Sequence, residues 1–316
     1  MSARNPVSDS TGKTPALTRF NQLGVIGCGL MGGSFALALK RAGLVKRVVG
    51  FSKSPSTTEL ARQLGVIDVA AESALLAVSG SDLVLIAVPV AATETTFKNI
   101  RHLMAPGVLF MDVGSTKRDV VDTARRVLKD HGRLASFVPA HPITGKETAG
   151  VQHADAALYA GRQVILTPMA QTDPLMLAKA HAVWTALGAQ VSTMTPETHD
   201  ATFAAVSHLP HLLAFAYLMS IANHPAGADY LAHGGPGFRD FTRIAASDPA
   251  VWRDILLANR EEVLRQLHRF NHAIQGMELA MTTNNAQALE DMIRLASDAR
   301  SGWQIGGGSG RTGGSK

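Results

Sequence analysis

The chain has one cysteine, Cys28, in 316 residues. No intrachain disulfide can form, and a lone thiol fits a reducing compartment, so a cytoplasmic location is expected. Aromatic residues are scarce, at 5%, and the basic residues are scattered rather than gathered on one stretch. A nucleic-acid partner is therefore not expected. Charge of one sign is also in short supply. Thirty basic residues against 25 acidic ones leave a balance of +5, which is ordinary for an enzyme of small anionic substrates. No apolar run reaches the ~18 residues of a membrane span, so no membrane partner is expected. The first 19 residues lack an apolar signal core and read as a frayed N-terminus. Residues 302–316, Gly/Ser-rich, read as a flexible tail.

Hydrophobic residues make up 46% of the chain, enough for a large core in one or two domains. From residue 20 to residue 172, strand-like runs alternate with helical stretches. The runs are "LGVIG", "RVVGF", "DLVLIAVPV", "GVLFMDVG", "ASFVPAH" and "QVILTPM". Runs apolar on both faces suit strands buried in a parallel sheet. The alternation predicts an α/β, doubly wound (Rossmann-type) domain. From 173 to 301 the pattern becomes helical, with almost no strand candidates. "PLMLAKAHAVWTALGA", "PETHDATFAAVSHLPHLLAFAYLMSIAN" and "PAVWRDILLANREEVLRQLHRFNHAIQGMELAMTTN" each read as a helix with proline near its start. The last two carry wide apolar stripes that need a partner. An all-α second domain that forms a homodimer is expected.

The first run leads into "GVIGCGLMGGSFALALKRAG". Gly27, Gly29 and Gly32 form GxGxxG between a strand and a helix. The first allows a tight turn, the second lets backbone approach a pyrophosphate, and the third lets helix and sheet pack closely. Leu30 and Met31 would begin the helix whose N-terminus faces phosphate. Val88 and Pro89 would end the neighbouring strand and line the same cofactor crevice. One thing is missing. Where an NAD enzyme usually keeps an acid for the ribose hydroxyls, "GFSKSPS" offers Ser52, Lys53 and Ser54, and no acid until Glu59. Two hydroxyls and an ammonium suit a 2′-phosphate. NADP is expected, with NAD as the alternative.

Two more motifs end strand-like runs. "DVGSTK" places Ser115 at the carboxyl end of the sheet, or makes it a helix N-cap. "AHPITGKETAG" places His141 in the same crevice, where an imidazole can act as a general base. Glu147 follows it. The helical half adds His199, His208 and His211 in "THDATFAAVSHLPH". No Cys, HExxH or paired carboxylate accompanies them, and no metal is expected. "GGPGFRDFTRIAASDP" brings Asp240 and Arg243 together, as a carboxylate clamp or as a surface ion pair at i,i+3.

In that order, GxGLMGGS, "DVGSTK", "HPITGKE", "THD", "SHLPH" and "GFRDFTRIAASDP" resemble the prephenate/arogenate (cyclohexadienyl) dehydrogenases of tyrosine biosynthesis. The resemblance covers roughly residues 22 to 300. It implies oxidative decarboxylation of prephenate or arogenate with hydride transfer to NADP or NAD. His141 would match the family's base and Ser115 the serine that orients it. Arg243 would match the arginine on a substrate carboxylate, His211 the histidine on the substrate side chain, and Glu147 and Asp240 a pair of acids at the site's mouth. His199 would match a substrate contact. Two alternatives stay open. A β-hydroxyacid dehydrogenase would act through a lysine in the helical half, where only Lys179 precedes the tail. A nucleotide-sensing protein would leave His141 and Arg243 idle.

Overall fold

The computed structural model describes residues 19–103, 107–128, 133–145 and 148–303. The stretch before Arg19 and the tail after Trp303, read above as frayed and flexible, lie outside the described residues. The chain divides into two units. One runs to His199 and adds Asp248–Ala258; the other comprises Asp200–Ser247 and the chain from Asn259.

The first unit is built on β1 (Phe20–Ile26), α1 (Leu30–Arg41), β2 (Val45–Phe51), α2 (Pro55–Gln63), β3 (Val69–Ala70), α3 (Ala74–Val78), β4 (Leu83–Ile86), α4 (Thr93–Ile100), β5 (Leu109–Asp112), α5 (Arg118–Leu128) and β6 (Phe137–Val138). These six strands form one parallel sheet in the order β3-β2-β1-β4-β5-β6. Alternation along β4 shows why its run is apolar throughout. Leu83 and Leu85 enter the core beneath α1, while Val84 and Ile86 enter the core beneath α3, α4 and α5. The strand order reverses between β1 and β4. Ligands of such sheets bind at that point, beyond the carboxyl ends of the strands.

Two expectations for this region are corrected. "ASFVPAH" is two strands, because Pro139, which has no N–H to give a ladder, separates β6 from β7 (Ala140–Pro142). "QVILTPM" does not extend the parallel sheet. Its first part is β8 (Gln163–Leu166), which runs antiparallel to β7 in a second sheet of three strands. The third strand is β9 (Gln190–Thr193), reached through α6 (Pro174–Ala186) and parallel to β8. Polar and half-exposed, β9 carries too little apolar signal to be seen in the sequence. The buried residues of α6, including Val183 and Trp184, belong to the same core as α1. The first unit therefore continues well past residue 172.

The helical region begins with α7 (Pro196–Phe203), a π-helical turn at Ala204–His208, and α8 (Leu209–Ala222). Pro210 follows the π turn by two residues. Proline has no N–H for the preceding turn and its ring crowds a carbonyl there, which a widened turn relieves. The 27-residue stretch Pro196–Ala222 contains a window of mean hydropathy 1.4, long and apolar enough to cross a membrane by length and composition. The expectation of no such run is corrected. Ser207, His208, Pro210 and His211 interrupt the run to the eye without lowering its mean enough. Only 22% of that window is buried within the chain.

Next come α9 (Gly227–Ala232), α10 (Pro236–Thr242), α11 (Pro249–Ala258), α12 (Arg260–Thr282) and α13 (Ala286–Ser301). The single long helix read from Pro249 is two helices, broken at Asn259. Asn259 is buried, and its side-chain amide donates to the Asp200 carbonyl at 2.8 Å and meets His208 Nδ1 at 3.1 Å. The Asn259 backbone, at φ −106° and ψ 28°, departs from helical geometry.

Candidate active site

The turn between β1 and α1 has the geometry its glycines predict. Gly27 sits at φ 98°, and a Cβ there would lie 2.1 Å from the Ala87 carbonyl oxygen. A Cβ on Gly32 would lie 2.1 Å from the Gly27 carbonyl oxygen. A Cβ on Gly29 would meet nothing within 4 Å, so backbone there faces open space. The first turn of α1 has no side-chain cap and no acid. Its N–H groups and dipole are thus available to an anion, and the cradle fits a dinucleotide pyrophosphate. Leu30 and Met31 are half-buried against the core. The Tyr159 hydroxyl donates to the Met31 carbonyl at 2.7 Å, and the Ser34 hydroxyl accepts from the Asp155 N–H at 2.9 Å. Beyond β4, the Ala87 N–H donates to Ile26 at 2.7 Å. Val88 follows, half-buried, and then Pro89, exposed. Tyr159 was not anticipated, since a lone tyrosine in "DAALYAG" carries no motif.

At the end of β2, Ser52 is tied to this turn. Its hydroxyl accepts from the Cys28 N–H at 2.8 Å, and its own N–H donates to Thr58 at 2.9 Å. Lys53 and Ser54 are exposed, with the Ser54 and Ser56 hydroxyls 2.8 Å apart. Glu59, the first acid after the strand, is engaged with Arg62 and Gln63. Those hydrogen bonds, to Arg62 first, pull its carboxyl down to about 2. Cys28 is buried over Gly50, and burial pushes its thiol up to about 11.

After β5 the "DVGSTK" motif folds around its own charges. Asp112 and Lys117 are both buried and pair at 2.5 Å. The same carboxylate accepts from the Gly114 N–H at 2.9 Å and the Ala140 N–H at 3.1 Å, and Lys117 donates to the Ala140 carbonyl at 2.8 Å. This clamp fixes the residue that precedes His141. The sequence shows the motif but not this partnership, because its two ends are joined only by the fold. Helix α5 starts at Arg118, so Ser115 is not its N-cap; it stands half-buried in the loop.

His141 lies on β7, opposite Ile165 of β8. It is 9% exposed, and its Nδ1 lies 2.8 Å from Nε2 of His199, which is fully buried near the start of α7. His199 is expected from the resemblance to contact substrate; in the structure it lies against His141. Glu147 lies outside the described residues.

In the second unit, His211 Nδ1 lies 2.8 Å from the Ser207 carbonyl. That bond puts the proton on Nδ1 and the lone pair on Nε2. Burial lowers the proton affinity of His211; the Ser207 bond opposes this, and the Arg243 charge adds to it. Burial and the Arg243 charge together favour the neutral imidazole. Arg243 opens a 3₁₀ turn at Arg243–Ala246 and is exposed. Asp240 pairs with its neighbour Arg239 at 3.1 Å.

Lys179, the lysine a β-hydroxyacid dehydrogenase reading needs, sits over the Phe20 ring with Nζ 4.9 Å from its centroid. That is the start of β1, the opposite end from the glycine turn. A groove of about 490 Å³ lined by Gln22, Arg47, Val49 and Glu72 also lies apart from every residue singled out above.

Comparison with known proteins supplies what geometry alone does not. Residues 35–193 match the family model for the nucleotide-binding domain of prephenate dehydrogenase, and residues 195–297 match that for its dimerization domain. The chain is 36% identical over 279 residues to a prephenate dehydrogenase of Bacillus subtilis, covering 87% of this chain and 74% of the relative. It is 31% identical over 286 residues to a cyclohexadienyl dehydrogenase of Zymomonas mobilis, covering 90% and 96%. Among solved structures it resembles a prephenate dehydrogenase from A. aeolicus in complex with hydroxyphenyl propionate and NAD+. That likeness has a TM-score of 0.83 at 34% identity and covers 90% of this chain and 99% of the other.

Proposed function

The chain belongs to the prephenate dehydrogenase family, and from that premise we propose that it oxidatively decarboxylates prephenate, arogenate or both with a nicotinamide cofactor. The observation that carries this is the content of the first unit. One fold holds both a turn shaped for pyrophosphate and a buried imidazole, His141, on a strand clamped to β5.

The bound nicotinamide accepts a hydride; the chain's own residues do the rest. His141 takes the proton of the 4-hydroxyl through Nε2, since Nδ1 is committed to His199. Ser115 orients that hydroxyl. As the hydride leaves the same ring carbon, it becomes a carbonyl. The bond to the ring carboxylate then breaks, carbon dioxide departs, and its electron pair completes the aromatic ring and places charge on the oxygen. The proton held by His141 returns to that oxygen. No proton is gained or lost overall, and aromatisation makes the step downhill. Arg243 holds a substrate carboxylate, and His211 contacts the substrate side chain, where its Nε2 lone pair can accept from the ammonium of arogenate. Asp240 and Glu147 stay with this proposal as acids at the entrance.

For the cofactor we propose NADP over NAD. The support is chemical: Lys53 and Ser54 are exposed beside a strand end that carries no acid, and Glu59 is held by Arg62. Steady-state kinetics with both cofactors at saturating prephenate test it. NADP+ should give the higher kcat/KM, and Ser52→Asp should reverse the order. A charge-assisted contact is worth ~1.5–3 kcal/mol, so the shift should be about tenfold or more. A clear preference of the unaltered protein for NAD+ would refute this choice. The apolar faces left in the helical region, with Tyr217, Met219, Leu264 and Leu279 exposed, support a homodimer through that region.

A further inference from the structure

We infer that His199 is a positioning residue that selects the reactive tautomer of His141. The inference rests on His141 being the base. A neutral imidazole has one N–H and one lone pair. Two ring nitrogens 2.8 Å apart must be one donor and one acceptor. If Nδ1 of His141 accepted, its Nε2 would carry hydrogen and could not take a proton from a hydroxyl. If Nδ1 donates to Nε2 of His199, the lone pair of Nε2 is turned to the reaction. Only the second arrangement makes His141 a base.

Both backbones are held in place. His141 sits in the β7–β8 ladder, and the His199 N–H donates to the Thr195 carbonyl at 2.9 Å. The rings meet edge to face, with centroids 5.0 Å apart and planes inclined at 63°. His199 is fully buried, so water does not compete for its nitrogen. A histidine here has a different effect from a carboxylate. A buried carboxylate would favour the imidazolium of His141 more strongly. A neutral acceptor fixes the tautomer and leaves the resting base neutral. Once His141 takes its proton, the pair carries one positive charge and not two.

Three variants, each checked for its fold by circular dichroism, test this. His199→Leu removes the acceptor. His199→Gln keeps an oxygen close to where Nε2 stood. His141→Asn tests the underlying assignment. His199→Leu should lower kcat for prephenate about tenfold or more, the value of one buried hydrogen bond. Its KM and its cofactor affinity should stay within about twofold, since the transition state alone is affected. His199→Gln should recover most of the loss. Unchanged kcat in His199→Leu, a rise in KM as large as the fall in kcat, or no recovery by His199→Gln would each overturn the inference. Should His141→Asn itself keep full turnover, the base assignment fails rather than the positioning role. If His199→Leu does not fold, nitrogen-15 NMR of histidine-labelled unaltered protein decides. The resonance lost in His141→Asn should report a proton on Nδ1, and a proton on Nε2 would overturn the inference.

Discussion

At the residue scale, two glycines three positions apart in the same motif have opposite consequences. Gly32 is there for packing: an added Cβ would strike the Gly27 carbonyl at 2.1 Å. Gly32→Ala should destabilise the fold by at least about 1–3 kcal/mol. Gly29 faces open space, since an added Cβ meets nothing within 4 Å, and we propose that this space is for the dinucleotide. Gly29→Ala should melt close to the unaltered protein but weaken dinucleotide binding about tenfold or more, a loss of ~1.4 kcal/mol. Thermal melting and cofactor titration of both variants check this. Loss of stability in Gly29→Ala with intact binding would contradict it. The turn at Gly27 and the packing at Gly32 were legible in sequence because each solves a steric problem that the spacing announces. The bond from Ser52 to Cys28 was not, since a hydroxyl near a strand end looks the same whether it meets a ligand or its own chain.

At the element scale, the pair of Asp112 and Lys117 fastens β5 to β7 and so fixes the strand that bears His141. Lys117→Met would leave a buried carboxylate without its cation. That should cost about 3–5 kcal/mol, measured as a fall in the free energy of unfolding by denaturant. A change below about 1 kcal/mol would mean the carboxylate is satisfied by its backbone donors alone. The main strands were readable because "DLVLI" and "GVLFM" are apolar on both faces. Strands β3 and β9 were not, being two residues long and polar respectively. The break at Asn259 was hidden for a related reason. Its partners, Asp200 and His208, lie far away in sequence, and the helical period runs on through it.

At the scale of the whole molecule, α13 has no buried residue and α12 buries only Glu262, Val263 and Ala280. Helices so bare are expected to find cover in a second copy of the chain. Light scattering at micromolar concentration should give twice the 33.4 kDa chain mass, and a monomer would refute the dimer. The wide apolar stripes made this expectation available from sequence, whereas the division of the chain at His199 depends on how α6 and β9 pack. We propose His141 as the base of a nicotinamide-dependent oxidation. The most direct test is the appearance of reduced nicotinamide when the unaltered protein and His141→Asn meet prephenate and cofactor. The unaltered protein should turn over, and His141→Asn should bind cofactor normally while its kcat falls by a factor on the order of 10² or more. Near-normal kcat in His141→Asn would rule out His141 as the base.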